Sequence, residues 1–154
     1  MKYYVVTFTH TKLIGWTLFL HAHVRYLKKL IKEDKLQVSG PGVGTPVRSA
    51  LLVFKVKKRD ELDRLVAKDP YSVHGLVASS TVDLWNVKWG NMKKLHAAGP
   101  YENNTLAGLS ILSVPDEAAA EEIVKADPFV RELGAKYQIT EWDPRFGEFK
   151  GSGK

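Results

Sequence analysis

The chain has 154 residues, 44% apolar and 26% charged, enough for one ordinary domain or two very small ones sharing a core, and the balance excludes a disordered, collagen-like or coiled-coil chain. It contains no cysteine, so disulfides, thiolate nucleophiles, Cys-ligated zinc and iron–sulfur clusters are excluded and a cytoplasmic protein is the default expectation. The net charge of +6 is uneven, with 15 basic and 7 acidic side chains in residues 1–92 against 8 and 10 in residues 93–154, which suggests two unlike parts.

Lys2 to Thr9, rich in aromatic and β-branched residues, reads as a strand, and no long apolar block or small-residue cleavage site follows Lys2, so no secretory signal is expected. Gly15 to Glu33 has helical periodicity. Its surroundings hold the most apolar run, Leu13 to Val24, which is 12 residues long with two histidines and too short for a membrane span. Leu36 to Val38 is a short strand ended by Gly40-Pro41. The run Gly40-Pro41-Gly42-Val43-Gly44 reads as a turn or pocket rim rather than a phosphate cradle, because a strand follows it and the Gly-Lys-Ser/Thr ending is missing. Leu51 to Val56 is a buried strand, Arg59 to Lys68 a helix stopped by Pro70, and Leu76 to Trp89 a long alternating strand. The order β-α-β-β-α-β predicts a ferredoxin-like α+β unit.

Four landmarks of this unit return further along the chain. Ser39-Gly40-Pro41, Leu51 to Val56, Leu65 to Tyr71 and Trp85 to Gly90 recur as Ala98-Gly99-Pro100, Leu109 to Val114, Ile123 to Phe129 and Trp142 to Gly147, at an offset drifting from 59 through 58 to 57 residues. The second copy is incomplete: Asn91 to Ala98 leaves room for a remnant of one or two helical turns, so the strand ending near Trp89 is expected to serve both copies. The expected division is a complete unit over residues 1–90, a truncated one over 91–149 and a flexible tail over 150–154. Trp85, Trp89 and Trp142 then read as core or interface residues.

His21 and His23 project about 200° apart around their helix and cannot share a metal, and the five histidines show no pair at ligand spacing, so no metal site is expected. His23 falls among Trp16, Phe19, Leu20, Leu27 and Leu30, on the sheet-facing stripe, whereas His21, Arg25, Lys28 and Lys32 lie opposite. Such a histidine is either a core residue bonded to a backbone carbonyl or a proton-transfer group. Asp69, before Pro70, would end the second helix against the negative end of its dipole, a poor choice for capping. Asp-Pro can simply make a turn, and the recurrence of Asp-Pro-aromatic as Asp127-Pro128-Phe129 favours an architectural role. Both helices of a ferredoxin-like unit pack on one face of the sheet, so His23 and Asp69 can meet as an acid–base pair.

The motifs His23-Val-Arg-Tyr-Leu-Lys-Lys-Leu, Lys35-Leu36-Gln37-Val38-Ser39-Gly40-Pro41 and Asp69-Pro70-Tyr71, in this order, resemble the YciI-like (YCII-related) family of small dimeric α/β-barrel proteins. The resemblance spans nearly the whole chain, complete to about residue 90 and truncated beyond. It implies that His23 and Asp69 form the acid–base pair, with Tyr71 and the Ser39-Gly40-Pro41 turn lining the substrate pocket. Counting back from Gly99 lands on Val82, so Asp127 has no matching histidine and one site per chain is implied, with the second unit as built-in partner.

The resemblance also implies a cofactor-independent enzyme of lyase, dehydrochlorinase or isomerase type acting on a small organic molecule. One rival is a non-catalytic binder or sensor with the same cavity. Another is nucleic-acid binding, suggested by Lys28-Lys29, Lys57-Lys58-Arg59 and Lys93-Lys94, but Leu51 to Val56 lacks the aromatic–glycine signature that stacks bases. The chain could close one internal pseudo-dimer or form a homodimer, and no membrane partner is expected.

Overall fold

The computed structural model describes residues 1–91, 96–102 and 104–147. Strand β1 (Lys2–His10) leads to helix α1 (Leu13–Lys32), β2 (Leu36–Pro41), β3 (Arg48–Val56), α2 (Arg59–Ala67), the short α3 (Pro70–Val73) and β4 (Ser79–Trp85). Then follow β5 (Trp89–Asn91), β6 (His96–Tyr101), β7 (Asn104–Ile111), α4 (Glu117–Ala126), the short α5 (Pro128–Arg131) and β8 (Phe146–Gly147). The first four strands pair antiparallel in the order β4-β1-β3-β2 with the helices between them in sequence, which is the ferredoxin-like arrangement.

Alternation along β1 and β3 assigns the faces. Tyr4, Val6, Phe8, Leu52, Phe54 and Val56 point to the helices and pack with Leu27 and Leu30 of α1 and Leu62 of α2. Val5 and Val53 point the other way, onto Val38, Trp85, Ala97 and Ile111, so the sheet is covered on both sides and Leu51–Val56 reads as an almost unbroken apolar run. Burying each such leucine contributes roughly 1.5–3 kcal/mol, which fixes the rotation of α1 about its axis.

The cover on the second face arrives through reciprocal contacts. Trp85 Nε1–H donates to the Gly99 carbonyl at 3.0 Å, and Trp142 Nε1–H donates to the Gly40 carbonyl at 3.0 Å. The Asn86 and Lys88 amides donate to Pro100 and Ala98, and the Asp143 and Arg145 amides donate to Pro41 and Ser39. Each bond of one set maps onto the other by the 57- and 59-residue offsets of the sequence. β6 thereby joins the sheet beside β4, and β8 beside β2.

Several expected boundaries move. The long Leu76–Trp89 strand is β4 and β5, separated at residues 86–88, because there the chain leaves β1 to lie against the backbone at Gly99, where no side chain fits. The expected helical remnant Asn91–Ala98 is extended where it is described: Asn91 ends β5 and His96–Ala98 open β6, while residues 92–95 lie outside the described residues. Helix α1 begins at Leu13 and β3 at Arg48, earlier than periodicity suggests, and the expected tail 150–154 lies outside the described residues. Among the described residues no helix is long and apolar enough to cross a membrane.

Candidate functional site

His23 lies one turn before buried Leu27 on the inward stripe of α1, and its residue surface is 9% exposed. Asp69 reaches it from the junction of α2 and α3. Lys68 caps the C-terminus of α2, Asp69 takes an extended conformation as residues before proline do, and Pro70 opens α3. Asp69 is therefore the N-cap of α3, where a carboxylate is favoured, and not a carboxylate set against the dipole of α2 as the sequence reading expected. Its Oδ1 accepts the Tyr71 amide N–H at 2.9 Å.

The same oxygen accepts from His23 Nδ1 at 2.8 Å. A carboxylate oxygen that already takes a backbone N–H acts as acceptor, which places the imidazole proton on Nδ1 and the lone pair on Nε2. Among the described residues Nε2 has no protein partner, yet no buried side-chain nitrogen or oxygen there lacks one. Nε2 is therefore the edge of the ring that reaches the surface.

Tyr71, 1% exposed, closes one face of the imidazole: the rings stack with centroids 4.0 Å apart and 13° between planes. Its hydroxyl donates to the Trp16 carbonyl at 3.2 Å. Burial, with Asp69 adding to it, holds the phenol well above its ordinary range, so Tyr71 stays neutral.

Three residues that the sequence reading did not assign to the site complete the cluster. His10, the last residue of β1, stands edge-on to Tyr71 at 5.3 Å, and its Nδ1–H donates to the Leu76 carbonyl at 3.1 Å. Burial lowers its pKa below the ordinary 6.5, and the neighbouring His23 and Arg48 lower it further against the raising effect of the Leu76 bond and of Asp69. Arg48 is the cross-strand partner of His10, and its guanidinium lies over the Trp16 ring, 4.2 Å from the centroid. The alternation Tyr4, Val6, Phe8, His10 along β1 was the signal that could have found His10, since it continues the helix-facing row.

The Ser39-Gly40-Pro41 segment forms part of β2 and engages residues 142–146 through its backbone. Register places Ser39 opposite Leu52 and Pro41 opposite Ala50, on the helix-covered side that carries His23, whereas Gly40 lies opposite Leu51 on the other side. None of their hydrogen bonds reaches His23 or Asp69. Asp127 repeats the cap of Asp69, accepting the Phe129 amide at 2.8 Å, but it is exposed and Phe129 is 64% exposed where Tyr71 is buried. Among the described residues no three His, Asp or Glu side chains converge as metal ligands.

No curated protein matches the chain. Among solved structures, 5-chloro-2-hydroxyhydroquinone dehydrochlorinase from Burkholderia phenoliruptrix, in complex with 2,5-dihydroxybenzoquinone, is similar at 26% identity over 55% of this chain and 94% of that one, with a TM-score of 0.48. The model of the YCII-related domain matches twice, over residues 18–86 and again over residues 89–143, and the chain belongs to the YCII-related domain family.

Proposed function

We propose that the protein is a cofactor-independent acid–base enzyme of lyase, dehydrochlorinase or isomerase type, with His23 as the proton-transfer group and Asp69 as the residue that orients it. The observation that carries this reading is the 2.8 Å bond from His23 Nδ1 to Asp69 Oδ1, which leaves Nε2 without a partner among the described residues. Nε2 would take a proton from a substrate C–H or O–H, and the imidazolium so formed would be stabilised by the carboxylate at Nδ1. The electron pair left behind either expels a leaving group, as in a lyase, or is reprotonated at a neighbouring carbon, as in an isomerase. Tyr71 keeps the ring from rotating, and Ser39 and Pro41 extend the same side of the sheet toward the substrate.

The second unit takes the place that a partner chain would occupy in a dimeric α/β barrel, which gives an internal pseudo-dimer with one site. The reciprocal Trp85–Gly99 and Trp142–Gly40 contacts support this assignment, as does the lack of a histidine for Asp127.

A non-catalytic binder is favoured by one observation: Tyr71 stacks across His23 and confines approach to the ring edge. Incubation with chlorinated hydroquinones and enolisable carbon acids in D2O, followed by NMR for deuterium uptake and by chloride release, separates the two. The acid–base reading expects turnover that falls on the order of 10²–10⁴-fold in His23→Gln with unchanged circular dichroism. Turnover that survives this substitution overturns it.

A further inference from the structure

We propose that Arg48 anchors the substrate through an oxyanion, so that the His23 site takes a small organic acid, a carboxylate or its equivalent, rather than a neutral molecule. The inference rests on the reading of His23 as the reacting group and adds the substrate class.

Arg48 opens β3 directly across from His10 in the β1–β3 register, which puts both side chains at the same end of the helix-covered face. Arg48 is exposed, but its guanidinium lies on the Trp16 ring, and the Trp16 carbonyl accepts the Tyr71 phenol, which places the cation beside the cluster. A guanidinium with its face on an indole keeps its edge N–H donors for a planar acceptor.

No described carboxylate takes those donors. Arg59, Arg131 and Arg145 pair with Asp63, Glu132 and Asp143, but Arg48 has no ion pair among the described residues. The acid nearest in the cluster, Asp69, is already committed to His23 and to the Tyr71 amide. Arg48 also lowers the proton affinity of both His10 and Tyr71, so its charge is felt within the cluster, beside the opposing and larger effect of Asp69.

The one carboxylate of the cluster, Asp69, is spent on His23 and the Tyr71 amide, so the Arg48 N–H donors have no acceptor among the described residues. An anionic guest supplies that acceptor. It would lie with its oxyanion on the Arg48 edge and its apolar body along Trp16, near the accessible edge of His23. His10, with Nδ1 committed to Leu76, offers Nε2 only as an acceptor and so selects a hydroxyl-bearing guest.

The test uses benzoate and its neutral isostere benzamide, titrated into the whole chain and followed by the Trp16 indole, Tyr71 and His23 resonances. Benzoate is expected to bind roughly tenfold more tightly than benzamide, the margin between a charge-assisted and a neutral hydrogen bond. Arg48→Gln should erase that margin while Arg48→Lys retains part of it. Equal binding of the two probes by the wild-type chain overturns the inference without reference to any variant, as does failure of benzoate to bind up to its solubility limit. Undiminished benzoate binding by a folded Arg48→Gln does the same. His23-dependent turnover that ignores Arg48 sinks this inference alone. Arg48-dependent benzoate binding without any proton-transfer chemistry keeps the anion site and removes the acid–base reading.

Discussion

Trp85 and Gly99 are joined by the indole N–H to carbonyl bond at 3.0 Å, and the same bond joins Trp142 to Gly40 with the two parts of the chain exchanged. This is the reciprocity of a two-fold dimer interface, in which patch i meets j and j meets i, carried within one polypeptide. The glycines are required because the facing backbone lies against them. A Cβ on Gly40 would overlap the Asp143 carbonyl, and one on Gly99 would overlap the Asn86 carbonyl, far inside contact distance.

Gly40→Ala and Gly99→Ala should therefore each cost about 3 kcal/mol or more, because the obstacle is backbone that is itself hydrogen-bonded and cannot step aside. Urea denaturation would measure it. A cost under about 1 kcal/mol at both positions would mean that this junction is looser than the contacts require.

The indole donors separate from their packing in Trp85→Phe and Trp142→Phe. Trp85 is almost fully buried and its loss strands the Gly99 carbonyl, so a cost of about 1–3 kcal/mol is expected there. Trp142 is only part-buried, and water can replace its N–H at Gly40, so its substitution should cost less. Thermal melts of the two variants give the order.

Asp69 and Asp127 allow capping to be parted from chemistry. Asp127→Ala removes only the cap of α5 and should cost about 1 kcal/mol with no effect on ligand or turnover. Asp69→Asn keeps an oxygen that can accept both the Tyr71 amide and His23 Nδ1–H, so stability should be nearly unchanged, yet it removes the negative charge that would stabilise an imidazolium at His23. Turnover should fall in this variant while circular dichroism is unchanged. Undiminished turnover would assign Asp69 to architecture alone.

The repeat, the inward face of α1 and the two motif residues His23 and Asp69 were legible because each leaves a periodic or recurring mark. What escaped depends on contacts distant in sequence. The arrest of a strand at Trp85 is dictated by Gly99, and the extended backbone of His96–Ala98 by its pairing with Trp89–Asn91 and β7, neither of which local propensity encodes. Asp69 was misread for a different reason: the helix stop at Pro70 is also a helix start, and only the chain beyond it shows that Pro70 is the first residue of a new turn. Arg48 left no mark, since a charge at a strand end acquires meaning only from the His10 register and the Trp16 ring.

The His10 imidazole predicts a pH dependence of stability with a definite sign. Burial lowers its folded pKa below 6.5, so between the two values the unfolded chain holds more protons than the folded one. Stability must then rise with pH through this window and fall as pH drops below about 6.5, with a slope of at most about 1.4 kcal/mol per pH unit for this single proton. The loss ends once pH is below the folded pKa, where both states are protonated. Urea midpoints of the wild type and of His10→Gln, whose amide can still donate to the Leu76 carbonyl, should converge in the acid window and diverge above it. Parallel curves would place the titration elsewhere and leave His10 without the neutral state that its burial favours.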